Sequence, residues 1–101
     1  MKFCDYIRQR RESLGLSQKD IAKVLSVDVP RYSRYERGQR SLKEEHISII
    51  ASKLNLDSIE LRKMWIADKL LSVVNEEKDA TDILNIVAEN INDNKGSAEG
   101  N

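Results

Sequence analysis

Residues 16–38 read LSQKDIAKVLSVDVPRYSRYERG, and this stretch contains start signals for two helices. Ser17 is a typical N-cap residue, and Asp20 follows it by three positions, where its charge favours the first turn of a helix. Asp28 provides a second N-cap. Pro30 then falls in the first turn of the next helix, where its missing N–H costs no hydrogen bond.

The residues between and after these start signals favour close packing of two short helices. Ala22 is small, so it lets the helices approach each other, and Val27 can fill the space at the turn. Gly38 tolerates a positive φ and is expected to end the second helix. Two short helices joined by a tight turn are the helix-turn-helix pattern.

Helical periodicity continues on both sides of this stretch. The 4,4,3 spacing of Phe3, Ile7, Arg11 and Leu14 predicts a first helix with one inward face. Later helices have apolar faces at Ile47, Ile50, Ala51 and Leu54; at Leu61, Met64 and Trp65; and at Ala80, Ile83, Leu84, Val87 and Ile91. The sequence therefore predicts an all-α protein, with a compact five-helix domain and a C-terminal amphipathic helix.

Composition and polar breaks predict three segments. With 101 residues, one proline and four glycines, the chain is expected to form one mainly helical domain. We expect the helix-turn-helix domain with an extended fifth helix at 1–74. The C-terminal helix is expected within 75–92, as an element for dimerisation or for binding a partner. A disordered tail is expected at 93–101.

The formal net charge is zero, but the charge is unevenly distributed along the chain. Residues 1–43 contain eleven Lys or Arg against five Asp or Glu, a net charge of +6. Residues 44–101 contain six against twelve, a net charge of −6. A basic first part is attractive to polyanions such as nucleic acid.

Several classes of protein are disfavoured by what the sequence lacks. Cys4 is the single cysteine and His46 the single histidine, so neither an internal disulfide nor a zinc site is expected. His46 is expected to be exposed. No group of residues resembles a catalytic site, and we predict a protein that is not an enzyme and needs no cofactor or metal. The lack of an apolar signal core or membrane span predicts a cytoplasmic location.

The residues from Ser17 to Leu54 resemble the phage-repressor/Cro-type (XRE-type) helix-turn-helix family. The matching positions are Ser17, Gln18, Ile21, Ala22, Leu25, Val27, Ser33, Glu36, Arg37, Gly38, Ile50, Ala51 and Leu54. The similarity extends over about residues 6–61. It implies double-stranded DNA as the partner, with the third helix, at about 28–37, in the major groove and the second crossing the backbone.

The resemblance places the base-reading side chains on the third helix, at Val29, Pro30, Arg31, Ser33 and Arg34. Val29 and Pro30 depart from the polar residues common at these positions, and could only touch a thymine methyl group or fill space in the groove. Arg34 is therefore expected to be the main reader, because its guanidinium matches guanine O6 and N7. Arg31 is expected to contact either a base or a phosphate.

The resemblance also implies phosphate contacts and a structural ion pair. The phosphate contacts are expected from Gln18, Arg37, Gly38, Gln39, Arg40 and Lys43. Glu36 matches a family acid that pairs with an arginine of the first helix, here Arg11. Tyr32 and Tyr35 match apolar family positions and are expected to face inward.

The fifth helix has a second apolar stripe, and this stripe and the last helix could either cover each other within one chain or meet a second chain. The candidate residues for a dimer or partner surface are Ile66, Leu70, Val73, Ile83, Val87 and Ile91. A homodimer would bind two half-sites about one DNA turn apart. The predicted function is a sequence-specific transcriptional regulator, a repressor or an autoregulatory controller. The alternative is a protein-interaction module such as an antitoxin, whose C-terminal helices bind a partner protein and whose DNA binding is autoregulatory.

Overall fold

The computed structural model describes residues 1–99, with side chains up to residue 94. Within that range the chain is all-α and contains no strand. The helices are α1 (Phe3–Ser13), α2 (Gln18–Leu25), α3 (Val29–Glu36), α4 (Glu44–Lys53), α5 (Ser58–Val74) and α6 (Ala80–Glu99). The predicted fold class, five helices of a repressor-like domain followed by a C-terminal helix, is confirmed.

Side-chain caps begin three of these helices. At α2, Ser17 Oγ accepts a hydrogen bond from the Asp20 N–H at 3.1 Å, and the Ser17 N–H donates to Asp20 Oδ2 at 2.8 Å. At α3, Asp28 Oδ1 accepts from the Arg31 N–H at 2.7 Å, and Asp57 provides the same acceptor at α5. These bonds satisfy N–H groups that have no partner within the helix. The start signals of the sequence are confirmed.

The first four helices share one way of ending. Each has a residue at positive φ followed by an N–H that donates to a carbonyl five residues back; these residues are Gly15, Ser26, Gly38 and Asn55. After α3, the Gln39 N–H donates to the Arg34 carbonyl at 2.9 Å, and the Gly38 N–H donates to Tyr35 at 3.1 Å. This is a Schellman motif. Because Gly38 has a φ of 73°, a residue with a Cβ would be strained there.

The hydrophobic core lies among α1 to α4 and the start of α5. Its buried members are Phe3, Ile7, Ile21, Ala22, Leu25, Tyr32, Tyr35, Leu42, Ile47, Ile50, Ala51, Leu54 and Leu61. Val27 is partly buried against this core at the turn between α2 and α3, as predicted. Leu14 is exposed, contrary to the expectation from its spacing, because α1 ends one residue before it.

An ion pair joins α1 to α3 inside this domain. Arg11 Nε donates to Glu36 Oε2 at 2.7 Å, and Arg11 Nη2 donates to Glu36 Oε1 at 3.0 Å. The Arg11 side chain is 11% exposed and that of Glu36 is 2% exposed. Arg11 Nη1 also donates to the Leu16 carbonyl at 2.8 Å, beyond the end of α1. The predicted pairing of Arg11 with Glu36 is therefore present, with the two-bond geometry that makes such pairs strong.

Two further side chains donate hydrogen bonds to backbone carbonyls, one at the end of α4 and one in the loop between α3 and α4. Arg10 Nε donates to the Leu54 carbonyl at 2.9 Å, which satisfies an acceptor at the end of α4. Trp65 Nε1 donates to the Leu42 carbonyl at 3.0 Å, and its ring is partly buried against the core. Trp65 therefore packs in the domain.

The chain divides into two compact units, Met1–Asp68 and a second that begins at Lys69. The first contains the core and the helix-turn-helix. In the second, Val74 is buried and Ile83 half-buried, whereas Leu70, Val73, Val87 and Ile91 are exposed. The domain boundary after residue 74 stays a prediction.

The last helix is longer than the sequence predicted. Residues 93–99 were assigned to a disordered tail, but α6 continues through them to Glu99. Once a helix has started, each added residue gains a hydrogen bond without a new nucleation cost, so an apolar face is not needed for it to continue. The last two residues of the predicted tail lie outside the described residues.

We expect Arg11→Met to lower the free energy of unfolding by about 3–5 kcal/mol, because it leaves the Glu36 carboxylate buried without its main partner. Arg8→Met is the matched control on the same helix. Arg8 pairs with Asp5 and Glu12, but its side chain is 44% exposed, and such pairs contribute about 0–1 kcal/mol. Urea unfolding at pH 7 measures both variants, and equal losses would contradict a special role for the buried pair.

Candidate nucleic-acid interface

Helix α3 has a buried face and an exposed face. Tyr32, Tyr35 and Glu36 are buried, as predicted, whereas Pro30 and Arg34 are exposed on the opposite side. Because α3 is only eight residues long, these inward contacts determine which of its side chains can reach a ligand.

The five predicted base-reading residues are not equally accessible. Val29, Pro30 and Arg34 are exposed, and Arg31 and Ser33 are half-buried. Among the described residues, the Arg34 guanidinium has no hydrogen-bond or ion-pair partner, so it is available for a ligand.

Arg31 differs from Arg34, since its guanidinium has a partner on the same helix. Arg31 Nε donates a hydrogen bond to the Tyr35 hydroxyl at 3.0 Å, across one helical turn. The sequence reasoning missed this contact. The i,i+4 spacing of the two residues is a signal that could have suggested it.

Gln18 stands at the first position of α2, but its amide is already engaged. Its Nε2 donates to Glu36 Oε1 at 3.1 Å, so Gln18 joins the Arg11–Glu36 pair. This bond leaves one amide hydrogen and the carbonyl oxygen of Gln18 without a partner, whereas the Asp20 N–H in the same turn is already capped by Ser17. The contact orients the residue predicted to bind a phosphate, and the phosphate contact itself stays a prediction.

These hydrogen bonds keep Glu36 ionised. Burial alone raises the pKa of a carboxyl group. The hydrogen bonds and charge of Arg11, together with the neighbouring Tyr32 hydroxyl and Gln18 amide, outweigh it, and the pKa of Glu36 lies below its usual range. The bond to Glu36 likewise raises the pKa of Arg11. The pair is therefore fully charged at neutral pH.

The loop after α3 presents a run of exposed polar residues. Arg37, Gly38, Gln39 and Arg40 are all exposed, and so is Lys43 at the start of α4. Gly38 is required here by its positive φ, and a Cβ on it would lie 3.4 Å from Cys4 Sγ. The turn therefore explains this glycine before any ligand is considered, and the predicted phosphate contacts of the loop stay predictions.

His46 is buried, so the expectation that it is exposed was wrong. Its ring lies 6.1 Å from that of Tyr35, and its Nδ1 accepts a hydrogen bond from the Lys43 N–H at 3.4 Å. Burial is the main reason that the pKa of His46 is lowered; Lys43 and Arg31 lower it further, and Glu45 opposes them. His46 thus packs against Tyr35 of α3, and its neutral ring accepts a backbone hydrogen bond at the start of α4.

Metal-binding clusters and membrane-spanning helices are both absent from the described part of the chain. No cluster of three or more His, Cys, Asp or Glu side chains there has an arrangement that could hold a metal ion. The helices in the same range include none with the length and hydropathy to span a bilayer.

Comparison with known proteins identifies the fold. A family model described as helix-turn-helix matches residues 7–61. The chain belongs to the XRE-type helix-turn-helix family. The HTH-type transcriptional regulator DdrOP3 of Deinococcus deserti is 38% identical over 52 residues, 52% of this chain and 40% of that protein. The chain thus covers less than half of this relative's length. No solved structure matches the chain significantly.

The XRE-type match coincides with the part of the fold that positions the interface. It begins at the buried Ile7 of α1 and ends at the buried Leu61 of α5, and it includes α2, α3, α4 and the loop after α3. Members of this family are DNA-binding regulators. The second unit, from Lys69 onward, lies outside the matched residues.

We expect the stability of the XRE-type domain to fall as pH is lowered from 7 to 5. The folded pKa of His46 lies below the unfolded value of about 6.5, so its contribution is present above that pH and is lost as pH falls through the folded pKa. The chain has one histidine, and His46→Gln should remove most of this dependence while retaining an acceptor at this position. A histidine titration by NMR with a midpoint of 6.5 or higher would contradict the burial argument.

Proposed function

We propose that this protein is a sequence-specific transcriptional regulator that places α3 in the major groove of double-stranded DNA. The observation that carries the proposal is the orientation of α3. Its inward side chains are held by the core and by Arg11, so Pro30 and Arg34 are left to face outward. Membership of the XRE-type family supports the same geometry, in which the second helix of the motif enters the groove.

Direct base readout rests on Arg34 in this proposal. Its guanidinium is exposed and has no partner among the described residues, and it can donate two hydrogen bonds to O6 and N7 of a guanine. Ser33 can bond either to a base or to the backbone. Val29 and Pro30 contribute shape and contact with a thymine methyl group, since neither side chain has a donor or acceptor.

Phosphate contacts supply the remaining affinity. Gln18 lies at the N-terminus of α2, where backbone N–H groups favour an anion. Arg37, Arg40 and Lys43 lie in and after the loop that follows α3, and all three are exposed. Their contacts, together with those of Gly38 and Gln39, would be independent of base sequence and sensitive to salt.

We further propose that the protein acts as a homodimer in the cytoplasm and represses the genes next to its sites, its own among them. Ile66, Leu70, Val73, Val87 and Ile91 are exposed in the single chain. Exposed large apolar side chains favour burial against another protein surface. Two copies related by a twofold axis would place two recognition helices on successive turns of the duplex.

The same apolar residues also suit a different protein partner. In that alternative the chain is an antitoxin-like module, the C-terminal helices bind a second protein, and DNA binding regulates the module's own synthesis. The two possibilities differ in what occupies Leu70, Val73 and their neighbours.

We expect Arg34→Ala and Arg40→Ala to weaken DNA binding in different ways. The wild-type site would first be selected from a random duplex pool. Loss of Arg34 should remove about 1–3 kcal/mol of discrimination at one base pair. Loss of Arg40 should weaken all sequences alike and reduce the dependence of log K on log salt by about 0.9. Arg62→Ala is the control, since Arg62 pairs with Glu44 on a different helix.

Full retention of affinity and base preference in Arg34→Ala would contradict its assignment as the reader. A wild-type chain that selects no duplex sequence would contradict the proposed function as a whole.

We expect sedimentation of the wild-type chain at micromolar concentration to show the mass of a dimer. A Leu70→Glu/Val87→Glu double variant should sediment as one chain, because a carboxylate in an apolar interface loses its hydration. DNA sites selected by the wild-type dimer should show two half-sites about one helical turn apart. A monomeric wild type that co-purifies with a second protein in a fixed ratio would favour the antitoxin-like alternative instead.

A further inference from the structure

We propose that Tyr35 is a positioning residue that holds Arg31 in the geometry needed to read a second guanine. This inference rests on the proposed function and adds to it a residue that does not itself touch DNA. Arg31 was expected to contact either a base or a phosphate. The contact with Tyr35 favours the base and restricts how the guanidinium can approach it.

The Tyr35 ring is held firmly, so it can fix what its hydroxyl binds. The residue is 5% exposed. Its ring meets that of Tyr32 edge-on, with centroids 6.3 Å apart and planes at 77°. On another side it lies 6.1 Å from the ring of His46, with planes at 57°. Aromatic contacts at such distances and angles are favourable, and close packing on two sides leaves the ring little freedom.

The hydroxyl of this fixed ring accepts a hydrogen bond from Nε of Arg31. Arg31 Nε donates to it at 3.0 Å, and Arg31 is half-buried where Arg34 is exposed. With Nε engaged, the edge of the guanidinium that combines Nε and one terminal nitrogen cannot serve a ligand. The end that bears Nη1 and Nη2 makes no hydrogen bond to any described residue. Arg31 is therefore arranged to bind end-on.

Guanine matches this end-on arrangement. Its O6 and N7 atoms are neighbouring acceptors on the major-groove edge, and two parallel N–H donors can reach both. A phosphate presents paired oxygens and could accept the same two donors, but phosphate contacts tolerate a mobile cation and do not require a held one. A hydrogen bond to the buried Tyr35 fixes the direction of the Arg31 guanidinium, and a fixed direction is needed for a base contact.

The hydrogen bond to Tyr35 also reduces the conformational entropy that Arg31 loses on binding. A long side chain loses rotamer freedom when it becomes fixed at an interface, and that loss weakens binding by about twofold to twelvefold for each side chain. Arg31 is already ordered in the free protein by its bond to Tyr35, whereas Arg34 must be ordered on binding. The two arginines would thus read bases in different ways, one held in advance and one adapting to the groove.

The test uses the full chain and the duplex site selected by the wild type, with every single-base-pair substitution of that site. Affinities are measured by fluorescence anisotropy for the wild type, Tyr35→Phe, Arg31→Ala and the variant with both changes. Arg31→Lys is measured with and without Tyr35→Phe. Tyr6→Phe is the matched control, since it removes a hydroxyl from a half-buried tyrosine of α1 that makes no side-chain hydrogen bond to any described residue. Thermal melting of each variant accompanies the binding data.

We expect Tyr35→Phe to lose about threefold to tenfold of preference at one G·C pair and to keep its preference elsewhere. Arg31→Ala should lose preference at the same pair. The variant with both changes should be no worse than Arg31→Ala alone, because the hydroxyl acts through the guanidinium. Tyr6→Phe should match the wild type at every pair.

Three results would overturn the proposal. One is Tyr35→Phe with the wild-type preference at every pair. Another is uniform weakening by Arg31→Ala with a smaller salt dependence, which would place Arg31 on a phosphate. The third separates positioning from a merely structural role, because Arg31→Lys has no Nε–H that can reach the hydroxyl in this way. If adding Tyr35→Phe lowers the DNA affinity of the Arg31→Lys variant as much as it lowers that of the wild type, the role of the hydroxyl is structural.

The proposal can fail while the proposed function stands. In each of those three cases the wild type still selects a duplex site. A wild type that selects none would overturn both the function and the role of Tyr35.

Discussion

The Glu36 carboxylate is the point on which the arrangement of the helix-turn-helix depends. It accepts two hydrogen bonds from Arg11 of α1 and one from Gln18 of α2, while its own backbone forms the last turn of α3. A charge this deeply buried is tolerated only when it is paired and hydrogen-bonded, so these three helices can pack in few other ways. With Glu36 pointing inward, helical geometry alone turns Pro30 and Arg34 outward.

Local charge, and not net charge, governs what such a molecule can bind. The chain as a whole is formally neutral, yet Arg34, Arg37, Arg40 and Lys43 are exposed within a short stretch that contains few acids. Charges farther apart than about 8–10 Å are largely screened at physiological salt. The acidic second half therefore need not cancel the attraction of the first for a polyanion.

The sequence was most informative where structure depends on near neighbours. Caps at Ser17 and Asp28 could be predicted because a cap needs only residues three positions apart. The resemblance to repressors added the Arg11–Glu36 pair, which lies 25 residues apart in the chain and has no local signal of its own.

What the sequence did not reveal depends mostly on tertiary contacts. The burial of His46 and the bond from Gln18 to Glu36 arise only when helices meet at particular angles. The bond from Arg31 to Tyr35 lies within α3 and was missed although its i,i+4 spacing is a local signal. A histidine in a polar context is most often exposed, and here the ring of Tyr35 covers it. The end of α6 was also missed, since helix continuation depends on cooperativity and not on a local stop signal.

The shortness of the central helices has a consequence for how the surface comes into being. α2 and α3 have eight residues each, well below the roughly 12–15 at which an isolated helix becomes even marginally stable in water. Neither helix can persist without the core that both help to build. A partly unfolded chain therefore does not retain part of the surface that α2 and α3 form. Occupancy of any ligand should follow the folded fraction, and it should vanish over the same narrow range of temperature in which the domain melts.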